Sequence, residues 1–176
     1  MREPERTYHD TEWGVPTHDD RALFELLVLE GAQAGLSWQT VLKKRAGYRE
    51  AYDNFDPKAV ALFDAARVEA LVVDSRIVRH RGKIVASVTN AAAFLAVARE
   101  FETFADYLWR FVDGKPVVCR RPSSEELPPN TALSETVSRD LRKRGFRFVG
   151  STIVYSFLQA SGVVDDHRLD CFRAQC

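Results

Sequence analysis

Residues 30–38 contain the first group of side chains that could bind a ligand. Glu30 closes an apolar run and begins the segment EGAQAGLSW, which ends at Trp38. Gly31 and Gly35 allow a ligand to approach the backbone closely, and the indole of Trp38 offers a flat face for stacking. A carboxylate beside an aromatic wall suits a flat, cationic ligand. The alternative is a helix end with a solvated glutamate and a core tryptophan, and these residues alone favour that alternative.

Two histidines and a cysteine form a second group, of types that bind metal. His167 and Cys171 are four residues apart, so a helical turn would place both on one face, and His9 is a third candidate from the other end of the chain. A His/His/Cys set suits zinc. Closed structural zinc sites usually have four protein ligands, and Cys176 is the remaining candidate. The alternative is that these are ordinary polar residues near the termini that bind no metal, and the spacing alone favours neither interpretation.

Positive charge is concentrated in two short segments, RIVRHRGK (76–83) and LRKRGFR (141–147). Each contains a glycine, Gly82 or Gly145, that frees backbone N–H groups to meet phosphate. Because 25 Lys and Arg balance 25 Asp and Glu, the formal net charge is 0 and such local clusters are informative. We therefore favour phosphate contact over solvated helix faces. The cations concerned are Arg76, Arg79, Arg81 and Lys83 in the first segment and Arg142, Lys143, Arg144 and Arg147 in the second.

The composition excludes several classes of protein. A length of 176 residues fits one domain, so we assign residues 1–176 to a single helical domain. A neutral chain has no global field to attract nucleic acid, which argues against a histone-like protein. No apolar run approaches the roughly 18 residues that cross a bilayer, and the N-terminus lacks the apolar core of a signal peptide. With only 3 cysteines, we expect a cytoplasmic protein with no membrane partner.

Capping residues, prolines and glycines predict that these side chains are positioned by helices. Strict alternation of apolar and polar residues over the length of a strand is hard to find. Asp56 and Pro57 have the order of an N-cap and a first helical residue, so a helix with Val60, Phe63 and Val68 on its apolar face is expected. The residues 119–132 are predicted to be a surface loop. The fold class is therefore an all-α bundle with short connections. The other predicted helices cover 21–29, 104–112, 134–145 and 150–161.

Five segments together resemble the 3-methyladenine DNA glycosylase I family, and the resemblance runs in order from about Tyr8 to Cys171. They are YHDTEWGVP (8–16), LEGAQAGLSWQTVLKKR (29–45), IVRHRGKI (77–84), KRGFRFVGSTIVYSFLQASG (143–162) and DDH (165–167). The resemblance implies an all-α helix-hairpin-helix fold and a monomer. It also implies an enzyme that flips N3-methyladenine out of alkylated double-stranded DNA and hydrolyses its N-glycosidic bond, without a lyase step.

The resemblance also implies roles for individual residues in the base pocket. Glu30 matches the carboxylate that hydrogen-bonds the flipped base, and it is the one residue we would name as catalytic. Trp38 matches the stacking aromatic, and Tyr8 matches a tyrosine that contacts the base edge. Gly35 and Leu36 match the segment that fills the gap left in the duplex.

Two further sets of roles follow from the same resemblance. The hairpin Ile77–Lys83 matches the element that grips the DNA backbone, with contacts expected from Arg79, Arg81, Gly82 and Lys83. His9, His167 and Cys171 match three ligands of a structural zinc that ties the two termini together.

The sequence departs from the family pattern in two places. The family normally begins with a short segment that carries a cysteine and a pocket aromatic, and Met1–Thr7 has neither. Either the sequence starts after that segment, or the zinc is three-coordinate or absent. Arg76 stands where the hairpin usually has glycine, which is expected to strain the hairpin or to alter its backbone contacts to phosphate.

Two other functions are compatible with these residues. A non-catalytic helix-hairpin-helix module would bind abasic or nicked DNA without releasing a base. A small zinc hydrolase would explain three metal ligands with an open fourth position. Against the hydrolase, the ligands lie at opposite ends of the chain and no HExxH motif is present.

Overall fold

Ten α-helices make up most of the chain in the computed structural model, which describes residues 2–122 and 124–175. The helices are α1 (Glu5–Thr11), α2 (Asp20–Gln33), α3 (Trp38–Leu42), α4 (Arg45–Ala51), α5 (Pro57–Val60), α6 (Ala65–Val73), α7 (Arg81–Phe101), α8 (Phe104–Trp109), α9 (Ala132–Lys143) and α10 (Ser151–Ala160). Short 3-10 segments cover Asp53–Phe55, Arg110–Val112 and Phe172–Gln175. The expectation of a mostly helical fold is confirmed.

Helix α2 lies at the centre of the bundle. Asp19 caps it by accepting a hydrogen bond from the backbone N–H of Ala22 at 2.7 Å. Its residues are apolar on nearly all sides, and a helix of that kind is stable only when it is buried. It packs against α7, α8 and α10, and Leu23, Phe24 and Leu29 have no exposed surface. The last turn of this buried helix therefore carries the side chain of Glu30 into the interior.

Helix α7 is the longest element and packs against α2, α5, α6 and α8. By length and composition alone it is long and apolar enough to cross a membrane, so the expectation that no segment reaches this length is wrong. In this fold its buried residues, among them Ile84, Ala91 and Phe94, contribute to the hydrophobic core. The Phe94 ring stacks on Phe104 of α8 with ring centroids 4.0 Å apart.

The single helix expected after Asp56 is instead two helices, α5 and α6. The predicted start is right, because Asp56 accepts a hydrogen bond from the N–H of Lys58 and Pro57 is the first helical residue. Asp64 then acts as a second N-cap, accepting from the N–H of Arg67 at 2.8 Å. Because α5 ends at Val60 and α6 begins after Asp64, Phe63 lies between two helices rather than on one apolar face.

A two-residue strand on each side of the 119–132 loop was not predicted. β1 (Val117–Val118) pairs in parallel with β2 (Val164–Asp165), with Val117 opposite Val164. Strands this short carry no alternating pattern that a sequence could reveal. Their pairing connects the end of α8 to the segment that follows α10.

Candidate functional site

Three helices bring Tyr8, Glu30 and Trp38 into one region, as expected. Tyr8 lies on α1, Glu30 in the last turn of α2 and Trp38 at the start of α3, where Ser37 caps the helix through the N–H of Thr40. The rings of Tyr8 and Trp38 have centroids 5.2 Å apart and planes inclined at 56°. They border a cleft of about 350 Å³, lined by Glu5, Tyr8, His9, Trp13 and Trp38.

Three buried polar atoms in this region have no hydrogen-bond partner among the described residues. They are the hydroxyl oxygen of Tyr8, one carboxylate oxygen (Oε2) of Glu30 and the indole Nε1 of Trp38. Buried polar groups are nearly always hydrogen-bonded, because leaving one unpaired costs about 1–3 kcal/mol. Tyr8 and Trp38 line the cleft, and Glu30 is close enough to Tyr8 to raise the pKa of its hydroxyl. Together the three atoms indicate a site that is completed by a ligand.

Burial changes the protonation of the site. Glu30 is only 4% exposed, and the loss of solvation raises its pKa to about 8. Burial also raises the pKa of Tyr8, and the neighbouring Glu30 carboxyl raises it further. The free site therefore holds Glu30 largely as the neutral acid at pH 7, which differs from the solvated carboxylate that the sequence suggested.

The sequence analysis missed Trp13, which lines the cleft together with His9. The indole of Trp13 stacks on the ring of His9 at 5.9 Å and meets the ring of His167 edge-on at 4.6 Å. The next residue, Gly14, has φ of +74°, and a Cβ there would lie 2.6 Å from the His167 ring. The spacing of His9 and Trp13, four residues apart, was the available sign that both belong to one site.

His9, His167 and Cys171 lie close together, as the sequence predicted. Their ligand atoms all lie within 4.8 Å of one another, and Nε2 of His9 is 3.6 Å from the Cys171 sulfur. Nε2 of His167 is buried without a partner among the described residues. Two nitrogens and a sulfur that converge in this way suit zinc. Cys176, the other candidate ligand, lies outside the described residues.

Both histidines are oriented by carboxylates, as is usual for histidines that bind metal. Nδ1 of His9 is 2.8 Å from Oδ1 of Asp10, and Nδ1 of His167 is 2.6 Å from Oδ1 of Asp165. A proton shared on Nδ1 leaves the lone pair of Nε2 available. Burial also lowers the pKa of His167, which favours the neutral form that a metal requires. The donor set and its surroundings therefore fit zinc.

The hairpin expected at Ile77–Lys83 connects α6 to α7. The side chain of His80 caps α7 by accepting from the N–H of Lys83, and Gly82 lies in the exposed first turn of that helix. From α4, the Tyr48 hydroxyl accepts from the N–H of Val78 at 3.2 Å. The hairpin is thus held against the bundle with the N-terminal turn of α7 facing solvent.

The hairpin cations have different partners, which the sequence did not predict. Arg81 pairs with Glu69, and Nζ of Lys83 donates to the carbonyl oxygens of Ala32 at 2.8 Å and Ala34 at 2.5 Å. These contacts occupy both side chains within the chain, so their expected role at phosphate stays a prediction. Arg79 is exposed, and no acidic side chain in the described ranges pairs with it.

Arg76, which replaces the usual hairpin glycine, does not strain the backbone. Its φ is not among the positive values of the described residues. The guanidinium donates to Asp74 at 2.7 Å and to Glu50 at 2.8 Å, so its charge is neutralised locally. Opposite it, Gly47 provides the space, because a Cβ there would lie 2.6 Å from the Cβ of Arg76.

We predict that Arg79→Ala makes the salt dependence of DNA binding shallower, while Arg76→Ala leaves it close to wild type. Each phosphate contact that is lost reduces the slope of log K against log salt by about 0.9. The measurement is a titration of duplex DNA at several salt concentrations. Equal slopes for the Arg79 variant and the wild type would place that side chain away from phosphate.

The loop between α2 and α3 exposes an apolar side chain two residues before Trp38. Leu36 is 41% exposed, and Gly35 before it has φ of +77°. Since no heavy atom lies within 4 Å of a Cβ built on Gly35, the backbone conformation rather than space requires glycine there. The Lys83 ammonium holds the carbonyl of Ala34, which connects this loop to the hairpin.

The chain is similar to known proteins along nearly its full length. The profile of a family described as methyladenine glycosylase matches residues 2–174. DNA-3-methyladenine glycosylase 1 of Escherichia coli (strain K12) is 51% identical over 164 residues, which cover 93% of this chain and 88% of that protein. A crystal structure of 3-methyladenine DNA glycosylase I is 50% identical and has a TM-score of 0.94. The match covers 98% of this chain and 95% of that one.

A third similar protein is the 3-methyladenine DNA glycosylase I of Staphylococcus aureus, from a study of how that enzyme recognises 3-methyladenine. It is 38% identical, has a TM-score of 0.94, and the match covers 98% of this chain and 92% of that one.

Proposed function

This chain belongs to the methyladenine glycosylase family, and from that premise we propose that its aromatic cleft receives a flipped 3-methyladenine nucleotide. The chain is a DNA base-excision repair enzyme that hydrolyses the N-glycosidic bond of 3-methyladenine. Because relatives at this identity are glycosylases, we retain neither a non-catalytic DNA-binding module nor a small zinc hydrolase as its function.

The three unpartnered polar atoms carry the assignment of the cleft. The Tyr8 hydroxyl, the Glu30 carboxyl and the Trp38 indole N–H offer both donors and acceptors. A methylated adenine brings an amino group that donates, ring nitrogens that accept and a flat face that stacks. An aromatic such as Trp38 returns about 1–3 kcal/mol per stacked base, which offsets part of the cost of flipping.

Glu30 supplies the charge selectivity. Adenine methylated at N3 carries a positive charge in DNA, whereas normal adenine is neutral. A cation beside the buried Glu30 favours its carboxylate form, so binding of the lesion draws down the raised pKa of this group. A neutral base gains no such attraction, and its glycosidic bond is also harder to break.

The reaction needs little acid catalysis. Water adds to C1′ of the sugar as the bond from C1′ to N9 breaks, and the bonding electrons neutralise the charge of the departing base. One proton from the water is released. We assign Glu30 the catalytic role of stabilising positive charge in the transition state, and it is the candidate to accept that proton.

Two observations support a reaction that stops at the abasic site. No lysine is among the described residues that line the cleft. The lysine nearest the end of α2, Lys83, donates to the carbonyls of Ala32 and Ala34 instead. A lyase step requires an amine nucleophile at C1′, so we propose a monofunctional enzyme.

We further propose that His9, His167 and Cys171 hold a structural zinc. The metal would join α1 to the segment after β2 and would fix the wall formed by His9 and Trp13, which borders the cleft. When bound it supplies cross-linking and no chemical step. Among the described residues neither Cys119 nor Cys171 forms a disulfide, which supports our proposal that the enzyme belongs to the reducing cytoplasm.

The test of the proposed function is release of free bases from methylated duplex DNA, resolved by chromatography. We expect 3-methyladenine to be released and 7-methylguanine to remain in the DNA. Release of neither base, with abasic DNA still bound, would contradict the proposed function and would indicate a binding protein.

A further inference from the structure

Phe148 is an exposed aromatic side chain that neither the core nor the base cleft explains. It lies between α9 and α10 and is 40% exposed. Its φ is +54°, in the left-handed region that bulky residues rarely adopt. Strained residues of this kind persist only where the surrounding structure holds them, and they are concentrated at functional sites.

Two buried polar side chains hold the backbone on both sides of Phe148. Asn90 of α7 accepts from the N–H of Arg147 at 2.8 Å and donates to its carbonyl at 2.9 Å. Ser138 of α9 donates to the carbonyl of Val149 at 2.6 Å. Asn90 is 5% exposed and Ser138 is 3% exposed. The conformation of Phe148 is therefore imposed by the interior rather than left to a mobile loop.

The ring of Phe148 lies between the hairpin and the end of α2. Its Cζ is 3.8 Å from the position of a Cβ on Gly82, and the ring meets His80 edge-on at 6.2 Å. The Phe148 Cβ is 3.7 Å from the position of a Cβ on Gly31, the residue after Glu30. Phe148 and Lys83 line the same small cavity. Since Lys83 bonds to Ala34, Phe148 is close to both elements expected to face DNA.

We propose that Phe148 is a second DNA-inserting residue, which stacks on a base left unpaired or unstacked when the lesion is flipped. This rests on the proposed function. A flipped nucleotide deprives its neighbours and the opposite base of a stacking partner, and every base has a face on which an aromatic ring can stack. Leu36 projects from the loop after α2, so the two side chains reach the gap from different elements. Holding the ring in place beforehand reduces the entropy lost on binding.

The test compares Phe148→Gly with the wild type in binding to a duplex that contains a stable abasic-site analogue. Glycine removes the ring and also tolerates a positive φ, so the backbone is not strained by the change. We expect about a 10-fold loss of affinity for this duplex, with unchanged affinity for free 3-methyladenine and a melting temperature within a few degrees of the wild type. Leu62→Gly, which removes an 83% exposed side chain outside these elements, is the matched control and should bind as the wild type does.

A fluorescent base analogue, 2-aminopurine, identifies the contact. Placed in turn opposite and beside the abasic analogue, it should be quenched by the wild type and less quenched by Phe148→Gly at one of these positions. Equal affinity and equal quenching for the two proteins would overturn the proposal. A parallel fall in free-base affinity and melting temperature would also overturn it, because it would indicate a structural role. These binding measurements decide the role of Phe148 separately from base release, which tests the proposed function.

Discussion

Glu30→Gln is expected to lower the excision of 3-methyladenine by at least about 100-fold while making the protein more stable than the wild type at pH 8. Activity falls because the amide cannot carry the charge that stabilises a cationic transition state. Stability rises because at pH 8 the folded wild type must either bury a charged carboxylate or keep a proton that the unfolded chain has lost, and the neutral amide needs neither. The same burial that makes this side chain useful therefore destabilises the free enzyme.

The sign of the pH dependence follows from the direction of the shift. The pKa of Glu30 is raised from 4.5 to about 8, so between these values the folded protein holds a proton that the unfolded chain has lost. The free energy of unfolding of the wild type thus decreases as pH rises from 4.5 to 8, by up to roughly 5 kcal/mol from this group. The glutamine variant lacks this decrease, and the two proteins should converge near pH 4.5.

Denaturant unfolding at pH 5 and pH 8 measures this difference. Glu25→Gln is the matched control, since Glu25 is a buried glutamate of the same helix that accepts hydrogen bonds from Arg45 at 2.7 Å and Arg49 at 2.9 Å. Removing a paired carboxylate is expected to lower stability at pH 8. If Glu30→Gln were equally destabilising, the Glu30 carboxyl would have a partner and would not be the open group of the site.

Cys171→Ala is expected to yield protein without zinc and with a melting temperature lower by about 5–10 °C, a shift that corresponds to a few kcal/mol for a chain of this size. The reason is that the proposed metal would cross-link α1 to the segment after β2, two parts of the chain that are far apart in the sequence. Metal analysis of the purified proteins and thermal unfolding with and without a chelator are the measurements. Base release by the chelated protein then shows whether the metal also supports activity.

Cys119→Ala is the matched control for this variant. Cys119 is another partly buried free thiol, and it lies outside the metal-binding group. We expect this variant to retain zinc at the wild-type ratio. A wild-type protein that contains no zinc, and whose melting temperature does not respond to zinc or chelator, would contradict the metal assignment.

Local features of the sequence predicted the helices that begin with a cap or end at a glycine. Residues 104–112 form α8 and a 3-10 turn, after which Gly114 has φ of +72° and donates its N–H to the carbonyl of Trp109. The prediction failed at Asp64, because an aspartate within an apolar pattern can either face solvent or cap a new helix. The outcome depends on whether residues 65–73 are more stable as a separate helix packed on α7 or as a continuation of α5.

The sequence by itself determined the family and proposed Tyr8, Glu30 and Trp38 for the base site, together with three candidate metal ligands, because these are matters of residue type and order. It did not reveal Trp13, which also lines the cleft. Only the tertiary structure decided their states. The pKa of Glu30 is raised because α2 is surrounded by other helices, which remove its carboxyl group from water. Lys83 bonds to Ala32, 51 residues away, and Asn90 holds the backbone beside Phe148 from 57 residues away. The burial and hydrogen bonding of a side chain depend on residues that are distant in the sequence and close in the fold. The spacing of neighbouring residues therefore cannot predict them.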